Sequence, residues 1–247
     1  MQITGNTILI TGGGSGIGRG LAEAFHARGN KVIVTGRDTA KLDAIVRANP
    51  GIEALELDVD DPAAIKAVTK RITSDLPSLN VLINNAGIMR AEDLKSGDTD
   101  TAEATISTNL LGPIRLTAAL LPHLLTRPNA AILTVSSGLA FVPRALAPTY
   151  CATKAAIHSY SQTLRVQLRD TPIQVIELVP PYLQTELMGP AQAADPNAMP
   201  LADYISETMA LLEEKPDADE ILVQRVFFQR WAEREDRYAA AFARVNG

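Results

Sequence analysis

The sequence predicts an α/β fold, with a doubly wound parallel sheet of six or seven strands and helices on both faces. Short apolar runs alternate with helical patterns at intervals of about thirty residues, which is typical of this architecture. The 247 residues include 46% hydrophobic residues, enough for one large core, and no proline-rich or charged linker divides them. We therefore expect a single domain over residues 1–247, with ligands bound at the carboxyl ends of its strands.

The first element is an apolar strand that runs directly into a glycine-rich loop. Residues 6–11 predict the strand, residues 12–18 form the loop, and an amphipathic helix is predicted over 17–28. Glycines let the backbone turn tightly and approach a pyrophosphate, while the free N–H groups at a helix start attract negative charge. The pattern indicates a dinucleotide site.

The second strand, residues 31–37, bears on the choice of nicotinamide cofactor. A carboxylate at its end would bind the adenosine ribose of NAD and repel the 2′-phosphate of NADP, but Gly36 occupies that place. Arg37 follows, and a guanidinium matches phosphate in charge and shape. This favours NADP(H). NAD(H) remains the alternative, because Asp38 can neutralise Arg37, which can also be a solvated residue at the start of the next helix.

The remaining elements follow the same alternation. Pro62 suits the first turn of its helix, whereas Pro113 should bend a longer one. Further strands are predicted over 52–57, 81–83, 131–135 and 174–179, and further helices over 39–48, 61–76, 100–125, 150–169, 201–214 and 217–243.

Three residues in the second half of the chain supply the parts of a proton-transfer site. Tyr150 and Lys154 are four apart on one predicted helix face, and Ser137 follows the strand that ends near residue 135. A tyrosine, with a pKa of about 10, needs a nearby cation to favour the phenolate at neutral pH. The Ser137 hydroxyl can hold a carbonyl oxygen close to the tyrosine. Taken alone, this pattern also fits an ordinary helix face, so the other motifs in the chain must decide between the two interpretations.

The motifs occur in an order that resembles the short-chain dehydrogenase/reductase family along most of the chain. That family implies a Rossmann-like fold and reversible hydride transfer between a nicotinamide cofactor and a carbonyl/secondary-alcohol pair. The matching residues are Thr11-Gly12-x-x-x-Gly16-x-Gly18, Asn84-Asn85-Ala86-Gly87, Asn109, Ser137, Tyr150 and Lys154.

The resemblance implies a role for each catalytic residue. Tyr150 is the general acid or base, Ser137 polarises the substrate oxygen, and Lys154 lowers the tyrosine pKa and binds the nicotinamide ribose. Asn109 anchors the water of a proton relay. A redox-sensing binding protein with little turnover is the alternative, but such relatives often lose the tyrosine or the lysine, and both are present here.

The same resemblance implies the cofactor contacts. Asn85 also supports the central strand, and Asp58 is alternatively a turn residue or surface cap. Ser15 stands where many NADP-dependent relatives carry a basic residue. The implied contacts are Gly12, Ser15, Gly16, Ile17, Gly18, Arg37, Asp58, Val59, Asn85, Ala86, Gly87, Tyr150, Lys154, Pro180, Leu183 and Thr185.

The chain departs from the family in its last third. Pro180-Pro181-Tyr182 replaces the usual Pro-Gly, and the segment that follows, about 182–215, is expected to include a substrate lid. The tail, about 217–247, has a helical aromatic pattern in place of the usual last strand, which leaves six strands if that strand is absent. Both features resemble the DltE-type oxidoreductases. The tail packs on its own core or forms the interface of a homodimer or homotetramer.

Composition excludes several other classes of function. A net charge of −5 argues against binding to nucleic acid or to an anionic membrane. No signal peptide or spanning segment is evident, so a cytoplasmic location is expected. Cys151 stands alone, which excludes an internal disulfide. The three histidines have no acidic or cysteine neighbours at metal-ligand spacing, so no metal is assigned; they are His26, His123 and His158.

Overall fold

A computed structural model describes all residues, 1–247, and contains one parallel sheet of seven strands. The strand order is β3-β2-β1-β4-β5-β6-β7, which confirms the predicted doubly wound fold. The strands are β1 (Thr7–Thr11), β2 (Lys31–Gly36), β3 (Glu53–Glu56), β4 (Val81–Asn84), β5 (Ala130–Val135), β6 (Ile173–Val179) and β7 (Glu220–Leu222).

Helices cover both faces of this sheet. Successive side chains of a strand point to opposite faces, so Ile8 and Ile10 join one buried apolar cluster while Leu9 joins the other. The helices are α1 (Gly16–His26), α2 (Thr39–Ala48), α3 (Pro62–Asp75), α4 (Asp100–Ile106), α5 (Gly112–Leu124), α6 (Pro148–Leu168), α7 (Pro190–Ala193), α8 (Leu201–Glu214), α9 (Phe227–Arg230) and α10 (Tyr238–Asn246).

The topology determines where a ligand can bind. The chain winds from β1 outward through β2 and β3, then returns to β4 beside β1 and winds the other way. Loops at the carboxyl ends of β1 and β4 therefore diverge and leave a crevice between them. The glycine loop follows β1 and the segment that starts with Asn85 follows β4.

The long helix predicted over 100–125 is interrupted before its proline. A π-helical segment, Ser107–Leu111, separates α4 from α5, and Pro113 lies in the first turn of α5. Proline has no N–H group and cannot continue the hydrogen-bonding of the preceding helix. The helix is therefore interrupted where the sequence predicts a bend, and Asn109 lies in a local widening of the helix, a feature common at functional sites.

The single tail helix predicted over 217–243 is wrong. Strand β7 begins at Glu220 and pairs with β6, so the last strand is present. Ile221 is buried, and the short strand carries too few residues to show an alternating pattern. The rest of the tail is divided between α9, which ends at Arg230, and α10, which begins at Tyr238. Asp236 takes a positive φ of 54° in the turn between them. The aromatic residues therefore do not form one continuous stripe.

Helix α8, in the second half of the predicted lid segment, is part of the core. It packs against α1, and a Cβ added at Gly20 would lie 2.7 Å from Cγ1 of Ile205. Tyr204 is fully buried in the same helix. The segment that faces the crevice is therefore confined to the loop and short helix α7 that precede α8.

Candidate active site

The glycine loop is packed too tightly for side chains at three of its glycines, Gly12, Gly13 and Gly18. A Cβ at Gly12, whose φ is +64°, would lie 2.9 Å from Cα of Ala86, and one at Gly18 would lie 2.4 Å from the Asn85 amide nitrogen. The loop also leads straight into the start of α1, whose first N–H groups have no partner within the helix. This cradle fits a dinucleotide pyrophosphate, as the sequence predicts.

Asn85 ties this loop to β1. Its side-chain amide donates to the carbonyl oxygen of Thr11 at 2.8 Å and to that of Gly12 at 3.2 Å. The Thr11 hydroxyl accepts from the backbone N–H groups of Asn85 and Ala86, both at 3.0 Å. Asn85 therefore supports the central strands and holds the two diverging loops together, while Ala86 and Gly87 line the same junction.

The structure brings Ser137, Tyr150 and Lys154 together. Helix α6 begins at Pro148, so Tyr150 lies in its first turn and Lys154 one turn later, and both side chains are buried. The Lys154 ammonium donates to the carbonyl oxygen of Val135 at 2.8 Å and lies 5.6 Å from the centre of the Tyr150 ring. Ser137, two residues beyond the end of β5, faces the phenol.

Burial dominates the acidity of this group. It raises the pKa of Tyr150 to about 12, with the Ser137 hydroxyl acting in the opposite direction. Burial likewise lowers the pKa of Lys154 to about 8, and the Glu177 carboxylate acts to raise it. Desolvation of the phenolate has the largest influence on the Tyr150 pKa, and Lys154 is not among the groups that shift it here. The Tyr150 phenol is therefore protonated at neutral pH.

A partly buried charge cluster near Lys154 was not evident from sequence spacing. Glu177 in β6 has no exposed surface; one oxygen accepts from Nδ1 of His158 at 2.8 Å and the other has no partner. His158 Nδ1 also lies 4.0 Å from Glu220 in β7, which Arg230 holds through two hydrogen bonds of 2.8 and 2.9 Å.

This cluster corrects the expectation that His158 lacks acidic neighbours. One ligand atom each from His158, Glu177 and Glu220 lie within 4.8 Å of one another, but they come from three elements far apart in sequence. The two hydrogen bonds from Arg230 already occupy both oxygens of Glu220. The arrangement is therefore explained by hydrogen bonds and ion pairs, and we assign no metal to it.

Asn109 lies where the widened helix meets the loop after β4. Its side-chain oxygen accepts from the N–H of Ile88 and its nitrogen donates to the carbonyl of Ile88, both at 2.8 Å. The same nitrogen lies 3.4 Å from the hydroxyl of Thr153. These contacts hold Asn109 beside Thr153, the residue that precedes Lys154 in α6.

At the adenosine end, Arg37 faces two carboxylates. The guanidinium of this exposed arginine lies 3.9 Å from the half-buried Asp58 and 3.8 Å from the half-buried Asp60. Asp38, which the sequence suggests as a neutralising partner, instead caps α2 by accepting from the N–H of Lys41 at 3.0 Å. The partners of Arg37 therefore differ from the expected one. Val59 is buried beside this group.

The predicted nicotinamide contacts follow β6. The carbonyl oxygen of Pro180 accepts from the N–H of Gly138 at 2.9 Å, which joins this loop to the one after Ser137. Gln192 in α7, which sequence analysis missed, donates to the Leu183 carbonyl at 2.9 Å and to the Thr185 hydroxyl at 3.2 Å. Gln192 therefore holds both predicted contacts in place.

A cavity of about 530 Å³ opens in front of Tyr150 and Ser137. Its walls come from the loop after β4, the segment 180–197 and the tail, so the tail helices border the site directly. Sequence analysis missed the tail contributions and three arginines in these walls. The tail residues and the arginines are Arg144, Arg225, Phe228, Gln229, Arg244, Val245 and Gly247.

None of the helices is both long enough and apolar enough to cross a lipid bilayer.

Comparison with known proteins agrees with this geometry. The family model described as short chain dehydrogenase matches residues 6–196. The chain is 41% identical over 251 aligned positions to the uncharacterized oxidoreductase DltE of Bacillus subtilis (strain 168), covering all of this chain and 98% of that protein.

Two solved structures are similar over nearly the whole chain. One is a short-chain dehydrogenase from Burkholderia cenocepacia J2315 in complex with NADP, with a TM-score of 0.82, 25% identity and 99% of each chain covered. The other is a short-chain dehydrogenase from Sphingobium yanoikuyae in complex with NADPH. It has a TM-score of 0.81 and 27% identity, over 98% of this chain and 96% of that one.

Proposed function

Because the chain belongs to the short-chain dehydrogenase/reductase family, we propose that it catalyses reversible hydride transfer between a nicotinamide cofactor and a carbonyl/secondary-alcohol pair. The observation that carries this proposal is the buried phenol of Tyr150, which faces Ser137 at the floor of the cavity. A neutral phenol in that position can give its proton to a carbonyl oxygen during reduction.

Each residue has a distinct task in reduction. A bound nicotinamide supplies the hydride to the carbonyl carbon when the cofactor is reduced. Ser137 donates a hydrogen bond to the carbonyl oxygen, and Tyr150 transfers its proton there as the C–O π electrons move onto oxygen. The product is the alcohol and the oxidised cofactor, and oxidation runs through the same groups in reverse.

The phenolate left on Tyr150 regains its proton from the side of Lys154. Lys154 carries a positive charge below its pKa of about 8, so it stabilises the phenolate while it exists. We assign Asn109 to the anchoring of a water between Lys154 and solvent, since its side chain is fixed at the edge of α6. Thr185 and Leu183 then orient the carboxamide end of the cofactor.

We favour NADP(H), with NAD(H) as the alternative. Arg37 supports this choice because a guanidinium at the end of β2 can bind the 2′-phosphate. Asp58 and Asp60 weaken it, since they face the same guanidinium. The solved relatives with NADP and NADPH are in keeping with this choice.

The remaining proposals concern the class of substrate, the cellular location and the oligomeric state. We propose a small-molecule substrate, a cytoplasmic location and a homodimer or homotetramer. Three tail aromatics support association because each exposes about two-fifths of its surface: Phe227 (41%), Tyr238 (39%) and Phe242 (40%). Sedimentation of the purified chain tests the oligomer.

Replacing Tyr150 by Phe tests the reaction. The variant keeps the ring that packs in the pocket and removes the proton donor, so turnover of carbonyl compounds should fall by at least about 100-fold. Cofactor affinity, followed by NADPH fluorescence, should be largely retained. Tyr160→Phe is the matched control, because it removes a phenol elsewhere on α6 and should leave turnover intact.

Equal turnover in Tyr150→Phe and the unaltered chain would refute the assignment of the acid. Binding of NADPH without turnover of any carbonyl compound by the unaltered chain would instead favour the redox-sensor alternative.

A further inference from the structure

The mouth of the cavity carries an excess of positive charge. Three guanidinium side chains border it: Arg144 from the loop before α6, Arg225 from the turn after β7, and Arg244 from α10. The chain as a whole has a net charge of −5, so this concentration of arginines is a local feature. The three come from separate elements and meet only in the folded protein.

Arg144 is the arginine most available to a ligand. It is half-buried, its side chain makes no hydrogen bond to the protein, and it forms no ion pair. A guanidinium has five N–H donors, and donors removed from water require acceptors. Arg225 donates to the carbonyl of Asn197, and Arg244 lies 4.6 Å above the ring of Phe228, so neither is paired with a carboxylate.

The negative groups at the mouth offset this charge only in part. Asp195 is the only acidic side chain in the wall, and it accepts hydrogen bonds from the Tyr182 hydroxyl at 3.1 Å and the N–H of Asn197 at 2.8 Å. The N–H of Asn197 has the largest part in lowering the pKa of this carboxyl, and the Arg144 guanidinium adds to the lowering without forming an ion pair. Gly247 also borders the cavity, but no guanidinium lies within ion-pair distance of its carboxylate. The pocket therefore offers positive charge to whatever enters.

Apolar side chains surround the tyrosine in this cavity. Met89, Leu139 and Met188 pack in one cluster with Tyr150, and Leu187 also lines the cavity. A compound that fills this space would place an uncharged segment along the apolar wall and a charged group at the mouth. Its reacting oxygen would lie at Tyr150.

We propose that the substrate of the reaction is a carbonyl compound, or the corresponding alcohol, that bears an oxyanion, with Arg144 as its principal partner and Arg225 and Arg244 beside it. A carboxylate is planar and a phosphate is tetrahedral, but both present oxygens that accept paired hydrogen bonds from a guanidinium. This inference rests on the proposed function, since it places the carbonyl at Tyr150.

Matched pairs of compounds test the charge requirement. The full chain with NADPH is assayed with 4-oxopentanoate against its methyl ester, and with dihydroxyacetone phosphate against dihydroxyacetone. We expect kcat/KM for at least one anionic member to exceed that of its uncharged partner by about 10- to 100-fold, the effect of a hydrogen bond to a charged group. The two pairs distinguish a carboxylate site from a phosphate site.

Substitution of Arg144 tests whether this residue causes the preference for the anionic compound. Arg144→Gln should remove most of the preference for the anionic member, and Arg144→Lys, which keeps the charge without the fork, should retain part of it. Arg47→Gln is the matched control because Arg47 is exposed on α2, away from the cavity, and it should keep the full preference. Thermal unfolding of each variant shows whether it is folded.

Calorimetry covers the case in which the protein turns over none of these compounds. It measures the binding of 4-oxopentanoate, dihydroxyacetone phosphate and their uncharged partners to the NADP-saturated protein. A preference for an anion that Arg144→Gln abolishes supports the inference even if no pair is reduced, and the failure then belongs to the proposed reaction. Tyr150-dependent turnover with equal kcat/KM for anionic and uncharged members overturns the inference and leaves the proposed reaction standing. Absence of any Arg144-dependent preference in both assays also overturns it.

Discussion

Replacing Glu177 by Gln should shift the pH dependence of turnover through Lys154. Burial lowers the pKa of Lys154 to about 8, and the Glu177 carboxylate acts to raise it. Glutamine removes the charge but keeps an oxygen that can accept the 2.8 Å hydrogen bond from His158. The pKa of Lys154 must therefore fall, and the protonated lysine that supports Tyr150 is lost at a lower pH.

The expected size of the change in turnover follows from the pKa of Lys154. With a pKa of about 8, Lys154 is about nine-tenths protonated at pH 7 and half protonated at pH 8. A nearby opposite charge is worth about one unit or more. Loss of about one unit lowers the protonated fraction about twofold at pH 7 and about fivefold at pH 8. The alkaline limb of the kcat profile should therefore move to lower pH, while the acid side changes little.

The assay is kcat against pH for the unaltered chain, Glu177→Gln and Glu220→Gln. Glu220 is the matched control because it belongs to the same cluster but is held by Arg230 and does not act on Lys154. An alkaline limb that stays in place in Glu177→Gln would refute the reasoning. An equal shift in both variants would also refute it, because the effect would then come from disruption of the cluster as a whole.

Three further substitutions test other parts of the structure. Arg37→Gln should weaken NADPH binding about tenfold and leave NADH binding nearly unchanged in fluorescence titrations; equal weakening of both would contradict the assignment of the 2′-phosphate. Gly18→Ala should lower the melting temperature, because its Cβ would lie 2.4 Å from Asn85 and from the Gly12 oxygen, whereas Gly36→Ala, with its nearest neighbour at 3.8 Å, should not. Leu82→Ala, at a fully buried position in β4, should lower the free energy of unfolding by about 2–5 kcal/mol in urea titrations, and a loss well below that range would show that the core collapses onto the cavity.

The features that could be predicted from the sequence are local. The strand, glycine loop and helix at residues 6–28 lie next to one another in the chain, so their residue types alone indicate the phosphate cradle. Tyr150 and Lys154 are one helical turn apart, which places them on one face without knowledge of the rest of the fold. The alternation of apolar runs with helical patterns likewise predicts the doubly wound sheet.

The tail shows where such reasoning fails. Its aromatic residues have helical spacing, but β7 holds only three residues and pairs with β6 through hydrogen bonds that no local pattern reveals. Whether Arg244 and Phe228 face the cavity depends on how α9 and α10 fold back after β7.

The sequence by itself determined the fold class, the family and the residues that we propose carry the chemistry, because each of these depends on residue types at short spacing. The tertiary structure decided the direction of the Tyr150 and Lys154 pKa shifts, since burial in a finished core is what disfavours their charged forms. It also decided that Glu177 lies behind the lysine and that Arg144 lies unpaired at the cavity mouth. Electrostatic interactions depend on distance and desolvation in space, and the chain brings these groups together only when the sheet and its covering helices are complete.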